Sequence, residues 1–485
     1  MAFAEVGATV AEKGRPFAAF NVVGGCMRTS EADGQLSAWA TPDEPQSGAP
    51  LIGTVLEFPH RADRARYVHF EDAGTDALSE VVGTKGVETR GRRPFPHPFP
   101  ARMPLEVARA AVANFSKPGD VVLDPMCGSG VVARAAQLER RNAIGRDVDP
   151  LAVYLSRAIC STTQPADYLT LCRTVLGRAQ SLAAQPDYLA TRRSALPAED
   201  QAFISYWFTE PAATELFALA EALDDLPATP SLLFAAVTFS SCIISRSGGA
   251  SMAMDLSRSR PHRVATRKPR LPFQLWERNS ASFSKYLELA TEHAIAADIR
   301  LGDARDLDIE DDSVDAVITS PPYVNAIDYL RTSKFTLVFF GHELSVLRTI
   351  RSSSVGTERG LATGKLPQAL EVLVDSGVAE ERRKPLLRRY VHDMLLVLQE
   401  TARVLRPGGR ALFVVGPSIL SRREYDGAQV LAEIAEAAGL EVVGHDRRDL
   451  SSTNRSLPPP NRNRRSASIH KRMTCELYVA LRKPK

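Results

Sequence analysis

The sequence predicts an α/β protein on a doubly wound, mostly parallel sheet, with a helical domain inserted between its two halves. Three observations carry this expectation. Residues 121–147 read as strand, glycine-rich loop, helix and second strand, the unit from which parallel sheets are assembled. The alternation then stops, and residues 151 to about 290 read mostly as helix. Beyond them it resumes with the apolar strand Val314 to Ile318, which ends in Thr319-Ser320-Pro321-Pro322-Tyr323.

The first 90 residues carry little pattern. Glu31 to Ser47 is polar and rich in Gly, Pro and Ala, and Gly83 to Arg93 alternates Gly with Arg, so both read as loop or linker. After Pro104, the residues Leu105, Val107, Ala108, Ala111, Val112 and Phe115 recur at helical spacing. Lys117 to Asp120 is a turn, Val121 to Leu123 a buried strand, and Asp124 to Gly130 the glycine-rich loop. A helix follows from about Val131 to Arg140, then a strand ending at Asp147. In the helical stretch, Thr209 is a candidate N-cap with Pro211 in the first turn, and the run Leu232 to Ser245 is apolar on most sides, as an interior helix would be. Later, a helix from about Tyr390 to Leu405 is expected to stop at Arg406-Pro407-Gly408-Gly409. Ala411 to Val415, Glu441 to Val443 and Leu477 to Leu481 read as further strands, with a long loop over Arg447 to Arg472. The expected organisation is 1–91 without an assigned fold, 92–155 as the first part of the α/β domain, 156–290 as the helical insertion and 291–485 as the second part.

Composition narrows the class. A chain of 485 residues is about three domain lengths at roughly 150 residues each. Its 44% hydrophobic and 24% charged residues exclude collagen-like, coiled-coil and wholly disordered chains. The longest apolar run is too short for a membrane span, which needs about 20 residues. The stretch after Met1 carries Glu5, Glu12 and Lys13 and has no basic head with an apolar core, so a cytoplasmic protein without membrane contact is expected. Net charge is +3, so the distribution of basic residues matters more than the average. The six cysteines form no C-x-x-C pair, so neither a zinc site nor a disulfide framework is expected, and no metal site is assigned.

The chemistry concentrates in two places. A glycine-rich turn after a buried strand lets a ligand approach the backbone closely, although a simple tight turn has the same residues. Asp147, ending the next strand about twenty residues on, is where a ribose hydroxyl would be bound. This spacing favours a nucleotide-type cofactor without choosing between a dinucleotide and another adenosine compound. Ser320 to Tyr323 chooses. Two consecutive prolines cannot continue a strand and fix a rigid exit at its C-terminal end, where doubly wound sheets bind ligands. Hydrogen-bond acceptors at Ser320 and its neighbouring backbone, with the Tyr323 ring, suit a flipped-out base bearing an exocyclic amine.

Together these motifs resemble the S-adenosylmethionine-dependent DNA amino-methyltransferases of the cytosine-N4 and adenine-N6 type, in their Ser-Pro-Pro-Tyr form. His97-Pro98-Phe99-Pro100-Ala101-Arg102-Met103-Pro104 resembles the family's segment upstream of the glycine loop, and Asp303 in Leu301-Gly302-Asp303-Ala304 the residue near the cofactor adenine. The resemblance covers residues 92–150 and 298–480. It implies a Rossmann-like methyltransferase with a mixed, mostly parallel seven-stranded sheet. It assigns S-adenosylmethionine to Asp124, Pro125, Cys127, Gly128, Gly130, Asp147, Asp303 and Arg102, and catalysis to Ser320, Pro321, Pro322 and Tyr323. The serine form points to cytosine N4 in DNA; the alternatives are adenine N6, an RNA amine, or a non-catalytic nucleic-acid-binding protein with this fold. Methylation at ring C5 would need a cysteine nucleophile, typically in a Pro-Cys pair, and the chain has none. The loop departs from many relatives in holding Met126-Cys127 where they have an aromatic residue, and Cys127 reads best as packing. DNA is the implied partner, and a cognate restriction endonuclease is a further candidate. Two basic stretches are candidate phosphate contacts: Arg258, Arg260, Arg263, Arg267, Lys268 and Arg270 in one, and Arg462, Arg464 and Arg465 in the other.

Overall fold

In the computed structural model the described residues are 74–83, 95–99, 103–246, 248–258, 261–289, 295, 297–323, 328–357, 364–377, 384–416, 418–420, 423–425, 427–449 and 475–485. Seven strands form one sheet: β1 (Val121–Asp124), β2 (Asn142–Asp147), β3 (Ala297–Leu301), β4 (Val314–Thr319), β5 (Leu405–Val415), β6 (Glu441–Asp449) and β7 (Cys475–Arg482). Their spatial order is β6-β7-β5-β4-β1-β2-β3. The five from β3 across to β5 are parallel, while β7 runs antiparallel to both β5 and β6. The order reverses between β1 and β4, so the C-terminal ends of these two strands flank the crevice where such sheets bind ligands.

Alternation along the strands divides the core into two layers. Val122, Ala316, Leu412, Val414, Tyr478 and Ala480 face one buried cluster. Val121, Leu123, Val314, Phe413, Val415 and Val479 face the other. The first layer holds α1 (Gly74–Gly83), α2 (Leu105–Phe115), α3 (Val131–Leu138) and α4 (Pro150–Ile159). It continues without a break into the insertion: α5 (Pro165–Ala183), α6 (Tyr188–Ser194), α7 (Ala198–Trp207), α8 (Glu210–Asp224), α9 (Pro230–Ile243) and α10 (Pro272–Leu287). Helices α11 (Leu330–Leu337) and α12 (Leu344–Ser353) follow the catalytic-type strand. The second layer holds α13 (Gln368–Gly377), α14 (Lys384–Val404) and α15 (Gly427–Ala437). Among the described residues no helix is long and apolar enough to cross a membrane.

Helix α2 buries Val107, Ala108, Ala111, Val112 and Phe115, the face its periodicity marks out. In α9, Thr229 caps the first turn by accepting from the Leu232 N–H at 3.2 Å, and Pro230 takes the first helical position. Every residue from Ser231 to Ile243 is buried, and the buried hydroxyls are paired, as interior polar groups must be. Thr238 donates to the Phe234 carbonyl at 2.8 Å and Ser241 to the Thr238 carbonyl at 2.6 Å.

Two local expectations change. Arg406-Pro407-Gly408-Gly409 does not form a loop after the helix: α14 ends at Val404 and β5 begins at Leu405, with a register shift against β4 at this point. Gly408 takes φ +76, and the backbone of Gly408 and Gly409 exchanges hydrogen bonds with Lys483 at 3.0 and 2.9 Å, so the glycines serve a bulge rather than a helix stop. Arg447 to Asp449 likewise belong to β6, paired in register with Leu477, Glu476 and Cys475. In the stretch before residue 92, where the sequence offers no fold, α1 buries Ala77, Leu78 and Val81 in the first layer.

Candidate active site

The end of β1, the end of β2 and the end of β4 bring three parts of the site together. Asp124, 4% exposed, ends β1. One of its carboxylate oxygens accepts from Thr319 Oγ1 at 2.7 Å and from the Met126 N–H at 3.2 Å. The glycine loop and the catalytic-type strand are thus joined through a single carboxylate. Burial pushes the Asp124 carboxyl up to about 7, against the lowering effect of these two donors.

Asp147 ends β2 and organises the loop backbone. Its two oxygens accept from the Gly128 N–H at 2.8 Å and the Asp149 N–H at 2.9 Å. Burial pushes its carboxyl up to about 6. Asp149 caps α4 by accepting from the Leu151 N–H at 2.9 Å, with Pro150 at the first helical position, and its other oxygen accepts from Ser333 Oγ at 2.5 Å. Burial and then the nearby Asp147 push Asp149 up to about 7. Gly128 and Gly130 take φ +51 and +77. A Cβ on Gly130 would lie 2.7 Å from Ser156 Cα, so this glycine lets α3 start against α4. Cys127 is buried, with its sulfur 3.4 Å from Ser156 Oγ and its Cβ against Gly145; its side chain packs the floor beneath the loop. Pro125 is buried beside Asp124.

Ser320 follows β4 directly and donates its hydroxyl proton to the Val414 carbonyl at 2.9 Å. Pro321 is buried, Pro322 and Tyr323 half-buried. The Tyr323 ring lies against Gly416 at the end of β5, where a Cβ would come 2.5 Å from Tyr323 Cε2. Burial pushes its phenol well above the ordinary value. Over the glycine loop, Phe99 stacks on Tyr329 with centroids 5.1 Å apart and planes at 7°, and Phe99 lies against Gly128. The segment bearing Phe99 is anchored to the insertion: His97 Nε2 is 2.9 Å from Ser240 Oγ, which is 2.9 Å from Thr336 Oγ1.

Asp303, 9% exposed, is held by Arg305, which donates to both its oxygens at 3.0 and 2.7 Å and also reaches Asp393 at 2.7 Å. Arg102, Arg260, Arg462, Arg464 and Arg465 lie outside the described residues, as does the side chain of Arg258. The remaining basic positions divide. Arg267 donates to the backbone carbonyls of Ala253 and Gly249 and so ties its own loop together. Arg263 donates to the Tyr206 carbonyl at 2.8 Å and lies over the Tyr206 ring at 5.0 Å. Lys268 and Arg270 are exposed.

Sequence reasoning assigned no role to Thr319, Asp149, Ser333 or Tyr329, while Phe99 lies in the upstream segment that the resemblance marked. Asp149 carried a signal, since an aspartate followed by proline at a helix start is a cap signature. The Phe99–Tyr329 stack carried none, because the partners lie far apart in the chain.

The sheet order and the glycine loop at its switch point are those of a Rossmann-like α/β fold. Residues 63–157, which hold the glycine loop and Asp147, match the family described as DNA methylase (N6_N4_Mtase). It is 40% identical over 58 residues to the type II methyltransferase M.Cfr9I of Citrobacter freundii, covering 12% of this chain and 19% of that one. It is 37% identical over 70 residues to the type II methyltransferase M.MjaI of Methanocaldococcus jannaschii, covering 14% and 22%. The matches thus span about a fifth of the length of these relatives. A distant likeness links it to a putative methyltransferase of Haloferax volcanii solved with the activator Trm112, at 13% identity and a TM-score of 0.29, over 78% of this chain and 88% of that one.

Proposed function

We propose that this protein methylates the exocyclic N4 amine of cytosine in DNA. The observation that carries the reading is the state of Ser320. Its proton goes to the Val414 carbonyl and its hydroxyl also meets the Tyr323 phenol, and the oxygen keeps acceptor capacity for an amine at the end of β4. An exocyclic amine is a poor nucleophile because its lone pair is delocalised into the ring. Accepting its protons at Ser320 and the adjacent backbone favours a more tetrahedral nitrogen whose lone pair is free to attack. S-adenosylmethionine, when bound, supplies the electrophilic methyl group on a sulfonium. The residues present fit that cofactor. The Asp147 oxygens take the backbone N–H groups of Gly128, Asp149 and Val148, and a carboxylate has about four acceptor sites, which leaves one for a ribose hydroxyl. The buried carboxylates Asp124, Asp147 and Asp149 favour a cationic ligand. Asp303 belongs to the adenine end, fixed by Arg305. Much of the rate enhancement then rests on position and electrostatics.

Lys268 and Arg270, exposed on the insertion, are candidates for DNA phosphate contact. The two relatives carry type II methyltransferase names, which supports a cognate restriction endonuclease as a partner. The test is expression in a host lacking DNA methylation, followed by sequencing that reports modified bases. The expected product is N4-methylcytosine at one sequence context. N6-methyladenine as the sole product would overturn the base assignment and leave the enzyme class. Methylated RNA with unmodified DNA would overturn the substrate.

A further inference from the structure

Helices α11 and α12 carry cations beside the Ser-Pro-Pro-Tyr strip, outside the basic stretches read from sequence. Helix α11 begins one residue after Tyr329, whose ring stacks on Phe99 above the glycine loop. Helix α12 ends at Ser353, and the chain then runs to Gly356, where a Cβ would sit 3.4 Å from Pro322 Cβ and 3.5 Å from the Tyr323 carbonyl oxygen. The chain leaving α12 is therefore packed against the strip, and α11 begins beside the glycine loop.

On this border stand Arg331, Lys334 and Arg351. Arg331 and Arg351 share Asp328: each donates to its Oδ2 through Nε, Arg331 at 3.2 Å. Neither uses its terminal nitrogens on another residue among those described. Their side chains are 45% and 28% exposed. Lys334 lies over the Phe203 ring with Nζ 5.2 Å from the centroid, held by the aromatic face rather than by a carboxylate at contact distance. Burial and then the neighbouring Arg351 push its ammonium below the ordinary lysine value, with Asp328 opposing, Arg331 adding and Glu199 opposing. An anion seated among the three would relieve that repulsion. Arg348, one turn away, is paired with Glu199 and is left out of the group. One carboxylate thus holds two guanidiniums through their Nε atoms and leaves both terminal forks without another partner among the described residues. Such forks match phosphate oxygens.

We propose that Arg331, Lys334 and Arg351 form a clamp for a DNA backbone phosphate beside the nucleotide drawn into the Ser-Pro-Pro-Tyr strip. The proposal rests on the DNA-methyltransferase reading above. A clamp on the backbone reads no sequence; it would hold the strand where a flipped base must stay.

The test is the affinity of the full chain for a mixed-sequence DNA duplex, followed by fluorescence anisotropy across sodium chloride concentrations. Arg331→Gln alone and Arg331→Gln combined with Arg351→Gln are compared with the parent. Thermal melts and calorimetric S-adenosylmethionine binding serve as controls for folding. The expected result is weaker binding of all duplexes alike, with cofactor affinity retained. The slope of log affinity against log salt should become shallower by about 0.9 for one phosphate left without its cation. Should the double variant fail to fold, the Arg331→Gln result decides alone, because that side chain is largely exposed. A parental slope matched by the folded variants would overturn the clamp and leave the enzyme reading intact. A parent that neither binds nor methylates DNA would overturn both.

Discussion

Asp124, Asp147 and Asp149 place three carboxylates at the floor of the proposed cofactor site, and burial is the largest influence on each. Their folded values, about 7, 6 and 7, lie above the ordinary aspartate value of 3.8, so between pH 4 and 7 the ligand-free folded chain binds more protons than the unfolded one. The sign follows: the three groups favour the ligand-free fold at low pH, and this contribution is lost as pH rises through about 6 to 7. A cationic ligand that hydrogen-bonds Asp147 needs the ionised form, so its affinity moves the other way. S-adenosylmethionine affinity, measured by calorimetry, should rise between pH 5.5 and 8, and the thermal stabilisation it confers should rise with it. Asp147→Ala should cost about 1–3 kcal/mol of cofactor binding, the usual cost of losing a charged hydrogen-bond partner. It should also flatten the pH dependence. Unchanged affinity in a folded variant would remove Asp147 from the ribose.

At the scale of elements, Gly130 in the loop from β1 into α3 is more tightly required than Gly119 in the turn before β1. Gly130 combines φ +77 with a Cβ position 2.7 Å from Ser156 Cα and 2.9 Å from Ile159 Cγ2, so a side chain there would push α4 away from α3. Gly119 has φ +89 but nothing within 4 Å. Gly119→Ala should cost about 1–2 kcal/mol, the left-handed penalty alone. Gly130→Ala should add an overpacking cost of about 1–3 kcal/mol. Denaturant midpoints of the two variants check this, and equal losses would mean the helices yield easily. The same unit shows what the sequence made legible. From Val121 to Asp147 the signals are local: apolar strand, glycine turn, amphipathic helix, terminal acid. The strand before Ser320 is legible for the same reason. Arg406 to Gly409 misleads because a proline and two glycines mark a helix stop and a bulge equally well; the partner strand decides, and it lies in the C-terminal segment at Lys483. Arg267 misleads because charge alone does not tell whether a guanidinium meets phosphate or its own backbone carbonyls. The aromatic lid of Phe99 and Tyr329 depends on contacts that no local pattern records.

For the molecule as a whole, the question is whether the insertion is a lobe attached to the methyltransferase sheet or part of the core that holds it up. Phe234 and Phe239 of α9 are 1% and 0% exposed and belong to the same buried cluster as Val122, Ala316 and Leu412 of the sheet. Phe95, on the segment that leads to the glycine loop, packs edge-on against Phe283 and Tyr286 of α10, with centroids 5.6 and 5.3 Å away. Trp276 is 1% exposed, and its indole N–H donates to the Cys172 carbonyl at 3.0 Å, locking α10 to α5. Removing one large buried aromatic costs about 3–5 kcal/mol, and a domain's whole stability is about 5–15 kcal/mol. Excising the insertion would uncover several such side chains on the sheet side at once, and would strand His97 without Ser240. A chain in which residues 162–294 are replaced by a short Gly-Ser linker should therefore lose cooperative unfolding, followed by circular dichroism, together with S-adenosylmethionine binding. Ser240→Ala in the full chain keeps the apolar core and removes the buried links from α9 to His97 and to Thr336. It should still fold, yet bind the cofactor more weakly, because the Phe99 cover over Gly128 loses its anchor. A shortened chain that unfolds cooperatively and binds the cofactor at full affinity would show that the sheet carries its own core and that the insertion is a separable lobe.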